Sequence, residues 1–373
     1  MGADGCDTAV ARCLVRARLL MLAAAVVCSL VCCCGKNAHR AGVFLLGGDI
    51  SMVAKFEELG ATYRDNGREA GVMRIMLDHG CNCFRVRLFV NPPMIDAVIQ
   101  DLSYVAAVGK RIKSAGAIFL LDIHYSDTWA DPGHQAKPVE WEGLDFAALE
   151  NRVELYTAHV IATLKEAGCL PDIIQVGNEI TPGFLWPDGK LDAQEGGWRR
   201  FAALLKAGIR GAREPLDPNN TLRVMVHIDR GGDAAATGWF LRRLREENVE
   251  YDLLGLSYYP WWHGSMGDLR DNLHRTAEAF GKDIMIVETA YPWRPSIEAS
   301  GMYWEQTPGG QKQFLRQLIQ VVRATPDGHG RGVLWWYPEA IPVRGLNVWK
   351  GGAAALFDTT GSALPALDAF SGE

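Results

Sequence analysis

Two glutamates, Glu179 and Glu288, each close an apolar run that reads as a buried strand, "IIQVGNE" and "IMIVE". A carboxyl at a strand end is commonly a solvated loop group or a helix cap, because strand ends meet water anyway. The other strand ends point elsewhere. Comparable runs end in Asp49, in Arg85 and Arg87, in His124-Tyr125, in His227 with Asp229, and in the aromatic-rich "SYYPWW", "VETAYPW" and "LWWYPE". Two carboxyls with a guanidinium, an imidazole, the amide of Asn178 and flat aromatic faces are the parts that glycoside hydrolysis uses. One carboxyl protonates the leaving glycosidic oxygen, the other attacks the anomeric carbon, and aromatic rings stack on sugar rings. A metal hydrolase would also use His and acids, but His124, His227 and His263 are separated by whole repeating units and no HExxH helix is present.

The elements that must position these residues alternate regularly. Strands are expected over 43–51, 83–89, 117–125, 172–179, 222–229, 253–259, 283–289 and 332–337, with amphipathic segments such as "DLSYVAAVGKRIKSAG" and "QKQFLRQLIQVVRAT" between them. Gly116 and Gly168 stand where a left-handed helix cap would. Eight βα units in unbroken alternation predict a single-domain α/β fold, a (β/α)8 TIM barrel over residues 40–373, whose active site gathers at the C-terminal strand ends. No GxGxxG or GxxxxGK[ST] follows a strand, which leaves a nucleotide-binding sheet without support.

The chain has 373 residues, 48% hydrophobic and 22% charged, enough apolar material for a large core. A net charge of -6 with no Lys/Arg run excludes a nucleic-acid partner. Residues 1–34 differ from the rest: Arg12, Arg16 and Arg18 precede an apolar run from Leu19 to about Cys34, the pattern of a secretory signal peptide. Leu30-Val31-Cys32-Cys33 also resembles a bacterial lipoprotein box, so the mature protein is expected to be secreted or held at the cell surface by a lipid anchor. Six of the nine cysteines lie in this leader; Cys81, Cys83 and Cys169 read as packing residues.

The segments "GGDISM", "CFRVRLFVNP", "LLDIHYSDTWADPGHQAKP", "QVGNEITPGFLWPDGK", "VMVHIDRGGD", "LLGLSYYPWWHG", "IMIVETAYPW" and "GVLWWYPE" resemble, in order from about Gly47 to Phe370, clan A glycoside hydrolase family 53, the endo-β-1,4-galactanases. The resemblance implies a retaining hydrolase of β-1,4-galactan in type I arabinogalactan, with Glu179 as acid/base and Glu288 as nucleophile, acting as a monomer without a cofactor. It implies that Asn178 binds the 2-hydroxyl of the attacked sugar. A strand-two arginine would hold the charge of Glu288, Arg87 being the first choice and Arg85, on the same alternating face, the second. Asp49, His124, Tyr258 or Tyr259, and Trp336 would line the cleft, with Trp293, Trp129 and Trp186 as loop platforms. The loop after the seventh strand, with Glu298 and Glu305, lacks the oxygen cluster of calcium-binding family members, so no metal is expected. The rival readings are a clan A mannanase or cellulase and a non-catalytic carbohydrate-binding barrel.

The leader predicts a mature terminus between Cys32 and Gly35. Mass spectrometry of exported protein checks it: an intact Met1 peptide rules out cleavage, and an acylated cysteine identifies a lipoprotein.

Overall fold

Side chains alternate along a strand, so each apolar run can serve two cores at once. The strands are β1 (Leu45–Asp49), β2 (Cys83–Leu88), β3 (Ile118–Ile123), β4 (Ile173–Val176), β5 (Arg223–Ile228), β6 (Leu253–Ser257), β7 (Asp283–Glu288) and β8 (Gly330–Trp336). Neighbours pair in parallel, and β1 pairs with both β2 and β8, which closes the barrel. The (β/α)8 barrel expected from the sequence is the observed fold. This computed structural model describes residues 42–191, 196–217, 219–297 and 302–372; the leader, residues 1–34, and Glu298 lie outside them.

One side of the alternation faces inward. Leu45, Cys83, Leu120, Ile173, Met225, Leu253, Met285 and Leu334 form an apolar floor inside the barrel. The opposite parity, including Leu46, Phe84, Val86, Leu121, Ile174 and Val226, packs outward in a larger core with helical side chains. Each such buried side chain contributes about 1.5–3 kcal/mol. Cys81, Cys83 and Cys169 are buried free thiols, as packing residues should be.

The surrounding helices are α1 (Val72–Asp78), α2 (Leu102–Ser114), α3 (Phe146–Glu166), α4 (Gly197–Arg213), α5 (Ala234–Glu246), α6 (Met266–Phe280), α7 (Pro308–Arg323) and α8 (Asp368–Ser371). The side chains of Asp101, Asp145, Asp233, Ser265 and Thr307 accept first-turn N–H groups, each cap stabilising its helix by about 1 kcal/mol. Gly116 and Gly168 follow α2 and α3 at positive φ, as expected.

Most strands end one or two residues earlier than expected, and two of the ends depart from regular backbone in ways that shape the site. β4 stops at Val176 because Gly177 adopts φ 82°, and Glu179 itself lies at φ 48°, a conformation that non-glycine residues rarely hold. In β7 the register slips: Leu256 pairs with Ile286 but Ser257 with Glu288, so Val287 is an extra residue. Met285 and Val287 both pack on the inner floor. Strict alternation would then turn Glu288 outward, and the bulge turns it inward.

Gly47 sets how closely β1 approaches β2: a Cβ there would lie 1.8 Å from the Cys83 carbonyl oxygen. Gly47→Ala must push the two backbones apart, and is expected to destabilise the protein by about 1–3 kcal/mol or more. Urea unfolding measures this, and an unchanged midpoint contradicts it.

Candidate active site

Three strand-end carboxylates converge on one guanidinium. Arg85, 1% exposed, places Nη1 2.8 Å from Asp49 Oδ2 and 2.9 Å from Glu288 Oε1, and Nη2 2.8 Å from Asp122 Oδ2. Its Nη2 also donates to Asn178 Oδ1 at 2.8 Å and its Nε to Gln175 Oε1 at 3.2 Å. The strands β1, β2, β3 and β7 and the turn after β4 therefore share one cation. Burial pushes the Asp122 carboxyl up, but Arg85 and then His124, whose Nε2 lies 3.0 Å from Asp122 Oδ2, hold it below its ordinary value.

The arginine facing Glu288 is thus Arg85, not Arg87. Both have inward parity, but Arg87 stands about 6.5 Å further toward the rim, the length of two strand residues. There it lies 3.7 Å from Asp49 and stacks 4.2 Å from the centre of the Trp129 ring, fixing that ring over the cavity.

Glu179 and Glu288 enter the same cavity of about 230 Å³, with Asp49, Arg85, Arg87, His124, Asn178, Tyr259, Trp129 and Trp336. Their surroundings differ. Burial pushes Glu288 up to about 7, while Arg85 pulls against that rise, and Tyr259 donates to its Oε2 at 3.4 Å. Glu179 is raised well above the ordinary range by burial and then by Glu288, and Ser257 Oγ lies 2.6 Å from its Oε1. Both are raised, but only Glu288 has a cation in contact with it that opposes the rise. The turn that carries it is held from β3: Asn178 Nδ2 donates to Ala130 O at 2.8 Å and Gln135 Nε2 to Asn178 O at 2.8 Å.

Of the strand-six tyrosines, Tyr259 faces the cavity. Tyr258 points outward, stacked on Phe314 and donating to Gly264 O. Trp293 is not at the cavity either: its Nε1 donates to Gly352 O, tying the β7 and β8 loops. Trp186 donates to Pro182 O under Lys190 and also stays away, so Trp129 alone of the three loop platforms reaches the site. Sequence reasoning left out Asp122, Gln175, Ser257, Trp262 and Trp349. The first three share inward parity with named neighbours, a signal that could have found them; Trp349 enters from the β8 loop, where no periodicity applies. Trp129, Trp336 and Trp349 also line an adjoining cleft of about 810 Å³ between the β2 and β8 loops. Among the described residues no group of three or more His, Cys, Asp or Glu could hold a metal ion.

The model of glycosyl hydrolase family 53 matches residues 45–370. The chain belongs to this family. Its relatives include an uncharacterised protein of the bgaB 5′ region of Niallia circulans, 42% identical across 87% of this chain and 93% of that one. An arabinogalactan endo-β-1,4-galactanase of Cellvibrio japonicus is 34% identical across 87% of this chain and 89% of its own length. Among solved structures, the family 53 catalytic domain of Ignisphaera aggregans superimposes with a TM-score of 0.81 at 32% identity, covering 88% of this chain and 95% of that one. The protein is therefore a glycoside hydrolase.

Removing the shared cation should leave three buried carboxylates facing one another. Arg85→Met is expected to cost about 3–5 kcal/mol of stability at neutral pH. The loss should shrink toward pH 4 as the carboxyls take up protons; unfolding midpoints at the two pH values test this, and an equal loss at both contradicts it.

Proposed function

We propose that this hydrolase is a retaining endo-β-1,4-galactanase in which Glu288 is the nucleophile and Glu179 the acid/base. The observation that carries the division of roles is that the two carboxyls share one cavity but only Glu288 has a cation against it. Arg85 stabilises the ionised form that attack requires, whereas Glu179, with a hydroxyl beside it and the charge of Glu288 nearby, keeps the proton that departure requires.

In the first step Glu288 bonds to the anomeric carbon as the glycosidic bond breaks, its electron pair leaving on the oxygen that takes the Glu179 proton. Esterified Glu288 no longer carries its charge, so Glu179 becomes a weaker holder of protons and serves as base. It then takes a proton from the water that displaces Glu288 with retention. The choice of galactan rests on the family and on the Cellvibrio japonicus relative; attack within a chain rests on the aromatic cleft that continues past the catalytic cavity. The leader suits an exported, lipid-anchored or free enzyme, acting in this reading as a monomer.

Reducing-end release from β-1,4-galactan, mannan and cellulose, with viscosity and product anomer followed together, tests the reading. Galactan should be cleaved with an early fall in viscosity and a retained β-anomer. Glu179→Ala should lower kcat on galactan by about 10²–10⁴-fold but spare the first step on an aryl galactobioside with a good leaving group. Azide should rescue Glu288→Ala with inversion. An inverted product from the unmodified enzyme, or mutants with these behaviours exchanged, would overturn the assignment.

A further inference from the structure

The Ser257 hydroxyl lies between two groups that compete for its one proton. It is 2.6 Å from Glu179 Oε1 and 2.9 Å from His227 Nε2, and Ser257 and His227 are both fully buried. The far side of the His227 ring decides which of its nitrogens carries hydrogen. His227 Nδ1 is 2.9 Å from Asn178 Oδ1. That amide is oriented by its surroundings: its Nδ2 donates to Ala130 O, while its Oδ1 accepts from Arg85 and from Gln175 at 3.2 Å. An oxygen can only accept, so Nδ1 is the protonated nitrogen. The Glu179 N–H also approaches Nδ1, at the longer distance of 3.4 Å, and gives way to the shorter contact.

The ring is neutral. Burial pushes His227 well below its ordinary value and Arg85 pushes it further, with His124 and His263 acting the same way and Asp122 opposing. Nε2 is then a bare acceptor, and Ser257 is the donor placed before it.

We propose that His227 is a positioning residue for the acid/base: by taking the Ser257 hydrogen on Nε2, it turns the hydroxyl oxygen toward Glu179 as an acceptor and favours the protonated carboxyl. When Glu179 ionises, the hydroxyl must swing to donate to Oε1, and Nε2 loses its partner. Each loss of the Glu179 proton thus replaces the hydrogen bond from Glu179 to Ser257 with its reverse and breaks the buried one from Ser257 to Nε2. The charged and titratable groups around Glu179, namely Glu288, Asp229, Arg85 and Tyr259, act through space and stay in place during this exchange. The inference rests on Glu179 being the acid.

The test is the alkaline limb of kcat/KM on galactan, which reports loss of the acid's proton. His227→Leu frees Ser257 to donate to Glu179 permanently, and should move that limb down by roughly one pH unit, the worth of one hydrogen bond. Ser257→Ala removes the donor that ionised Glu179 needs, and should move the limb upward. The double variant should match Ser257→Ala, since His227 acts only through the hydroxyl. His227→Gln, whose amide can donate to Asn178 and accept from Ser257, should restore the native limb. Should His227→Leu fail to fold, the upward shift of Ser257→Ala against the native limb kept by Ser257→Thr, together with the native limb of His227→Gln, carries the test. An unmoved limb in His227→Leu and Ser257→Ala, or shifts of one sign in both, overturns the proposal. An aryl galactobioside that needs no proton separates the two readings: if the unmodified enzyme keeps its alkaline limb in the first step with that substrate, Glu179 is not the acid and the functional reading itself fails.

Discussion

One buried cation holds this site together. Arg85 sits among Asp49, Asp122 and Glu288, with Arg87 beside the first of them. Taking such charges from water costs several kcal/mol per ion, and the cost is offset only when geometry and hydrogen bonds are good. Arg85 meets that condition by spreading its contacts over three nitrogens in a plane, which a lysine ammonium could not do. The arrangement also couples chemistry to architecture, because the side chains that set the charge of Glu288 come from strands that the apolar floor beneath them keeps in register.

Much of this was legible in the sequence because strand parity is a strict rule. All eight strands were found from their apolar runs, and Asp49, His124, Asn178, Glu179, Glu288 and Trp336 meet where the ends of a closed barrel must meet. Parity alone could not choose between Arg85 and Arg87, since it gives the face and not the height above the floor. The Tyr258 and Tyr259 pair was open because the sequence does not say which face of the sixth run is the inner one; with Leu253 on the floor and Tyr259 still extended, the same parity carries Tyr259 inward. Trp293 leaves its expected place at the cleft, and Trp349, for which nothing was expected, enters it, because loops carry no period. A tryptophan there faces the cleft or its own backbone according to local hydrogen bonds, such as the one from Trp293 to Gly352.

Two departures from regular backbone carry the two glutamates. Glu179 is delivered by a turn with two positive φ angles, which also brings Asn178 inward against its strand's parity, and Glu288 follows a bulge without which strict alternation past Val287 would face it outward. Strain of this kind persists where surrounding contacts over-determine it. Here those contacts are the bonds from Gln135 and Asn178 that pin the first turn to the β3 loop, and the pairing of Ser257 with Glu288 that fixes the second.

The bulge at Val287 has a consequence for how the barrel can vary. Elsewhere on β7 a change of inner volume and a change of aim are separate matters: Met285 can be resized within the floor without reaching the carboxyl above it. Val287 belongs to both systems, as a filler of the interior and as the residue whose insertion rotates its neighbour. Removing that one position would place residue 288 directly after Ile286, in regular register with Ser257 and still facing inward, and would leave the floor one side chain short. For this strand, the bulge lets one more side chain enter the floor without costing the site its carboxyl.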